Sequence, residues 1–209
     1  MTNFNALLLA TSSARLTSPP DPPALSQNFQ LIAHVTSPNV TQFTAGIENW
    51  EVASLPGFGC DEPLALKRPR GSRTASGTTF WFDPETTSVA YGHGQDVKRL
   101  FIPQGGRGER ALSMHCAKAT PGVEVVPRRD GPQLVHRDNG TFYVCPRRVR
   151  SRALAQLLYR QGDELLPYMC ADVVLFAKWA KGSSMREESM VDCCTDVRDG
   201  VCRFPVQHF

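Results

Sequence analysis

The stretch Leu134-Val135-His136-Arg137-Asp138-Asn139-Gly140-Thr141-Phe142-Tyr143-Val144-Cys145 decides how the chain is read. Runs rich in β-branched and aromatic residues flank a turn signal. Asn-Gly accepts the positive φ angles of a tight two-residue turn, so the stretch predicts a β-hairpin. Working outward, the same grammar recurs. Phe29 to Thr36, Trp50 to Leu55, Thr78 to Phe82, Val97 to Ile102, Ala111 to Cys116, Val123 to Val126 and Val173 to Phe176 are short apolar or alternating runs. Pro56-Gly57, Asp83-Pro84, Gly105-Gly106, Pro121-Gly122 and Asp130-Gly131-Pro132 separate them. Many short strands with regular breaks predict a mainly β domain, an antiparallel sandwich or barrel.

One segment dissents. Ser151 to Leu166 carries Ala153, Leu154, Leu157, Leu158, Leu165 and Leu166, a spacing compatible with a short helix near 151–161. Ala, Leu, Gln and Arg favour that helix. A final hairpin strand is the alternative reading.

Composition sets the frame. The chain has 209 residues, 41% of them hydrophobic and 21% charged, enough to bury one core. Sixteen glycines and sixteen prolines favour turns over long helices. A net charge of +3 is too mild to argue for nucleic acid. No apolar run approaches the roughly 18 residues of a membrane helix. The chain divides into a leader over 1–27, a β-rich domain over 28–180 and a cysteine-containing appendage over 181–209. The leader has a short apolar stretch, Ala6 to Ala10, and small residues Ser12 and Ala14, as in a weak or truncated secretory signal. A cytosolic leader is the alternative. Four prolines between Thr17 and Ser26 disfavour regular structure there, and both chain termini are expected to be irregular.

Seven cysteines cannot all pair within the chain, and spacing alone selects no connectivity. Cys145 and Cys170 border apolar runs and rank first. A bridge between them is worth roughly 3 kcal/mol by loop-closure entropy. Cys60 and Cys116 come next. In the tail, Cys193 or Cys194 pairs with Cys202; a bridge between the adjacent Cys193 and Cys194 is disfavoured by disulfide geometry. Asn39-Val40-Thr41 and Asn139-Gly140-Thr141 match the N-glycosylation pattern at turns.

No motif of catalysis stands out. There is no C-x₂-C pair for zinc, and Cys193, Cys194, Cys202 and His208 are wrongly spaced for a finger. His115 and Cys116 are adjacent, so on a strand they point to opposite faces and form no dyad. The G-x-S-x-G elbow and the phosphate loop are absent. Asp61, Glu62, Asp83 and Glu85 are available as acids, and His34 and His93 as bases, but nothing singles them out. Lys67 to Arg73, and Arg147, Arg148, Arg150 and Arg152 beside Tyr143 and Tyr159, are basic clusters without a nucleic-acid signature. Metal, cofactor and catalytic residues are therefore none.

Phe29-x-Leu31-x-Ala33-x-Val35-Thr36, Thr120-Pro121-Gly122-Val123, Gly140 to Cys145 and Pro167-x-x-Cys170-x-x-Val173-x-Leu175 occur in an order that resembles a domain of unknown function in small secreted proteins of filamentous ascomycete fungi. The resemblance covers about residues 28–180. It implies export, a β-rich fold and a Cys145–Cys170 bridge, and it implies no catalytic residue. The chain departs from it at Ala177 to Ala180, where a further cysteine is expected, and in its three-cysteine tail. The reading that follows is an exported, non-enzymatic protein of the fungal cell surface or medium. Its expected partner is a cell-wall polysaccharide or a host protein, with no membrane span and no nucleic acid. The alternative is a secreted hydrolase with an acidic or histidine site.

Overall fold

The computed structural model describes residues 24–37, 43, 46–57, 59–69, 77–92, 94–104, 110–149, 152–162, 164–181 and 190–204. Among them the strands are β1 (Ala24–Ser26), β2 (Phe29–Val35), β3 (Glu51–Ser54), β4 (Asp61–Lys67), β5 (Trp81–Asp83) and β6 (Ser88–Tyr91). Next come β7 (Lys98–Phe101), β8 (Arg110–Ala111), β9 (Ser113–His115), β10 (Val123–Arg128), β11 (Gly131–His136) and β12 (Thr141–Val149). The last are β13 (Arg152–Arg160), β14 (Ala171–Trp179), β15 (Val191–Cys193), β16 (Asp196–Arg198) and β17 (Val201–Arg203).

Six of these close an antiparallel barrel in the order β2-β3-β4-β13-β12-β14, with β14 returning to β2. Closure gives both sides of each barrel strand a neighbour, which removes the exposed edges that an open sheet must protect. The period-2 alternation explains the inside. Phe29, Leu31 and Ala33 of β2, Phe142 and Val144 of β12, Leu157 and Tyr159 of β13, and Val173, Leu175 and Ala177 of β14 all lie in one buried core.

The expected helix near 151–161 is corrected: this segment is β13, paired with β12 over nine positions from Thr141↔Arg160 to Val149↔Arg152. The apolar doublet misleads because the strand is covered on both faces. Leu157 faces the barrel core, while Leu158 packs outside with Tyr143, Cys145, Cys170 and Leu166. A strand buried on both sides loses its alternation and imitates a helix.

The hairpin expected at Asn139 is also corrected. The turn is real: Asn139 has φ 57°, and its amide donates to the His136 carbonyl at 3.1 Å. The strands it joins do not pair with each other. β11 pairs with β10 over six positions and touches β14 at Gln133↔Phe176, while β12 pairs with β13 and β14. The corner is held from β13 instead: the Tyr159 hydroxyl donates to the Asp138 carboxylate and accepts from the Gly140 amide.

The chain ends contribute regular structure in their described parts. β1 pairs with β15, upstream of the expected domain start at Asn28. The Cys194 amide donates to the Ala177 carbonyl, and the Trp179 amide to the Cys194 carbonyl. β16 and β17 form a hairpin whose Val197, with Cys194, covers Ile32 and Phe176 on the outside of the barrel. The tail sits there because β2 and β14 carry apolar side chains on their outer faces, which need a cover.

Two elements open a second surface. The run 110–115 is inserted where β4 and β13 diverge. β8 pairs with β13, β9 pairs with β4, and buried Leu112 between them donates to the Leu157 carbonyl and accepts from the Leu64 amide. β9 continues into β7, β6 and β5, so a four-strand extension grows from the first half of β4.

Candidate ligand-binding site

The extension places Asp61 opposite His115, and His115 opposite Arg99, across β4, β9 and β7. Alternation sends Asp61 and Pro63 of β4, Ser113 and His115 of β9 and Phe101 of β7 to one side. These residues, with Pro56, Pro103, Leu112, Lys118 and Gln156, line a half-open groove of about 610 Å³. That volume lies within the range of small-ligand sites. The Cys60–Cys116 disulfide, spanning 56 residues, joins the start of β4 to the end of β9 and braces one rim.

His115 sets the chemistry. Its Nδ1 accepts two backbone hydrogen bonds, from the amides of Ala117 and Lys118, both at 3.0 Å. A nitrogen that accepts carries no proton, so the neutral ring holds its proton on Nε2 and donates from there. A catalytic relay would instead need Nδ1–H held by a carboxylate. The Phe101 ring lies 5.9 Å from the His115 ring, and Lys118 Nζ lies 5.2 Å from the Phe101 centroid. The groove thus combines apolar walls, an aromatic ring, fixed donors and the exposed Asp61 acceptor.

The opposite face of β4 is a brace. The Glu62 carboxylate accepts from Ser54 Oγ at 2.6 Å, from the Tyr91 hydroxyl and from Lys98. Burial alone would raise the Glu62 pKa; the bonds from Lys98, Ser54 and Tyr91 outweigh it and hold the carboxyl below its ordinary value. This network ties β3, β4, β6 and β7 together behind the groove.

The remaining candidates fall as follows. Three disulfides form, Cys60–Cys116, Cys145–Cys170 and Cys194–Cys202. The tail pairing thus selects Cys194. Cys193 keeps a buried thiol, whose pKa burial pushes up to about 12. Asn139 is exposed at its turn; Asn39, His93, Arg150 and His208 lie outside the described residues. His34 does have an acid beside it: its Nδ1 is 2.8 Å from Glu48 Oε1, and Glu48 Oε2 accepts from the Val35 amide at 2.9 Å. The far side of that imidazole is covered by Gly200. Asp83 is fully buried; burial would raise its pKa, but hydrogen bonds from Arg99 and Thr86 hold it low. Asp61 and Glu62 point to opposite faces of β4, so the four acids do not converge. No group of three or more His, Cys, Asp or Glu side chains able to hold a metal occurs among the described residues. Tyr143 and Tyr159 are buried, so neither offers a ring to a base beside Arg147 and Arg148.

Phe101, Lys118 and Gln156 were not legible as site residues. They come from β7, a loop and β13, and only the register of β9 brings them together. Comparison with protein-family models, with curated proteins and with solved structures matches nothing.

Proposed function

We propose that the protein is an exported, non-enzymatic binding protein of the fungal cell surface or medium, and that its groove takes a segment of cell-wall or host polysaccharide. The observation that supports this reading is His115, held as a fixed donor beside Phe101 and the exposed Asp61 acceptor. Saccharides present apolar ring faces and alternating hydroxyl donors and acceptors, which this mixture of walls and polar groups complements. Three disulfides are compatible with an oxidising compartment.

The test is retention of the intact protein on insoluble chitin and β-glucan, with His115→Ala and Phe101→Ala as variants. Retention that both variants lose, without release of reducing ends, supports the reading. Release of soluble sugar from either polymer favours the hydrolase instead. For that alternative, two acid–imidazole pairs occur among the described residues, His34 with Glu48 and His136 with Asp138; the cover of His34 by Gly200 and the engagement of Asp138 by the buried Tyr159 argue for structural roles.

A further inference from the structure

The two polar groups that define the groove each adjoin a half-cystine. Cys60 directly precedes Asp61, and Cys116 directly follows His115. Asp61 and His115 face each other in the β4–β9 ladder. The Cys60–Cys116 bridge therefore lies one step beyond that pair, with its Cα atoms 5.2 Å apart. The ladder itself is short, running from Asp61↔His115 to Pro63↔Ser113. Its inner end is fixed by buried Leu112, which bonds to Leu64 and Leu157. Its outer end is closed by the disulfide.

The bridge joins two loops of the groove's rim. One is the connection from β3 to β4, which supplies Pro56 and Gly57; the other is the turn after β9, which supplies Lys118. That turn folds back so that the amides of Ala117 and Lys118 reach His115 Nδ1. The bridge is also the accessible one of the three. Cys60 is exposed and Cys116 half-buried, whereas Cys145, Cys170 and Cys194 are buried and Cys202 packs against Gly131. Exposed disulfides are the ones that external thiols reach, and they are the labile ones. The barrel closes without this bridge, and β9 keeps its ladder with β7 whether or not the bridge is intact.

We propose, on the reading of the groove as a polysaccharide site, that the Cys60–Cys116 bridge is a redox latch on it, closed in an oxidising medium and opened by a low-molecular-weight thiol such as glutathione. A glutathione thiolate attacks the exposed Cys60 sulfur, the S–S bond breaks, and Cys116 leaves as a thiolate that takes up a proton. A second glutathione thiolate attacks the glutathione sulfur of the mixed disulfide. Cys60 is then released and protonated, and the two glutathiones depart as their own disulfide, having supplied both electrons. Opening lets the turn at Cys116 relax, so His115 loses the two bonds that fix its donor and the rim loops separate. The groove loses its pre-organisation and releases the polysaccharide, while the barrel stays folded.

The test treats the intact oxidised protein with increasing reduced glutathione, blocks free thiols with iodoacetamide and maps them by mass spectrometry. Retention on chitin and β-glucan, circular dichroism and amide hydrogen exchange are followed in parallel. Cys60 and Cys116 are expected to be alkylated first. At that point retention should fall at least roughly tenfold, and exchange at Ala117 and Lys118 should quicken at least roughly tenfold, with circular dichroism unchanged. Reoxidation should restore both. Cys60→Ser/Cys116→Ser should bind as the reduced parent does and be insensitive to glutathione. Retention that persists once those two cysteines are reduced overturns the proposal. So does opening of Cys145–Cys170 or Cys194–Cys202 at the same or lower glutathione, and so does unfolding that accompanies the reduction. A parent retained by neither polymer removes the polysaccharide reading alone. Amide exchange then decides the latch: quickened exchange at Ala117 and Lys118 supports it, and unchanged exchange overturns it.

Discussion

Gly200 lies against the end of the His34 imidazole, so that a methyl group on Gly200 would press into Cε1, Nε2 and Cδ2. The contact joins the tail hairpin to β2, and Gly200 has φ 72°, in the region that favours glycine. Two further bonds support the same junction: Asn49 Nδ2 donates to Asp199 Oδ1, and the Asp199 amide donates to Asn49 Oδ1. Gly200→Ala is therefore expected to destabilise the protein by about 1–3 kcal/mol, through backbone strain and displacement of His34. Urea unfolding of the variant measures this. A midpoint unchanged from the parent would show that the tail is not docked on His34.

The disulfides make a countable prediction. Under denaturing conditions without reductant, one thiol, Cys193, should react with an alkylating reagent, and with reductant all seven cysteines should. Replacing Cys145 and Cys170 together by serine should cost roughly 3 kcal/mol and loosen the connection between β13 and β14. Mass spectrometry of the alkylated protein reads the first, and thermal unfolding the second.

Acid should weaken the fold through specific carboxylates. Glu62, Asp83 and Asp138 all have pKa values held below their ordinary 4.5, 3.8 and 3.8. A carboxyl lowered on folding stabilises above its unfolded pKa, and that contribution is lost as pH falls through the folded value. Stability should thus drop as pH is lowered below about 4.5, starting with Glu62. Asp83→Asn should flatten part of this dependence and cost about 2 kcal/mol at neutral pH, because Arg99 loses its buried partner. Denaturant titrations between neutral and acid pH would show a parallel pH profile in parent and variant if Asp83 is not the group concerned.

Leu112 fills the point where β4 and β13 separate, and it is fully buried. Leu112→Ala should cost about 3 kcal/mol by the cavity it leaves, and it should also widen the groove. Hydrogen exchange would show lost protection at Leu64 and Leu112, whose amides bond across that junction.

The groove separates binding from stability. Phe101→Ala should abolish polysaccharide retention with a loss of stability below about 1.5 kcal/mol, since Phe101 is only partly buried. Paired retention and melting measurements decide it. Full retention by the variant would remove the groove from the proposed function.

Legibility was uneven for physical reasons. Phe29 to Val35 and Val173 to Phe176 were readable as strands because they concentrate β-branched, aromatic and other apolar residues in short runs, even though Phe29 to Ala33 are buried on both faces. Arg152 to Arg160 was misread because both of its faces are covered. The Asn139 turn was readable, since φ is a local property. The pairing that follows from it was not, because Tyr159 and the β13 ladder compete for the same corner. Of the site, His115 could be placed on a strand, but its tautomer depends on two backbone amides beyond the strand end. Phe101 and Gln156 carried no signal, since nothing in an isolated aromatic or amide side chain announces a groove.

By itself, the amino-acid order determined the β class, the turn positions and the cysteines that border the core, all of which follow from local periodicity and backbone preference. Tertiary structure decided barrel closure, the docking of the tail, the choice of Cys194 over Cys193 and the groove beside β9. The physical reason is that ladder hydrogen bonds join backbone groups that are alike in every strand. Which edges meet is settled only when the whole set of apolar faces is buried at once.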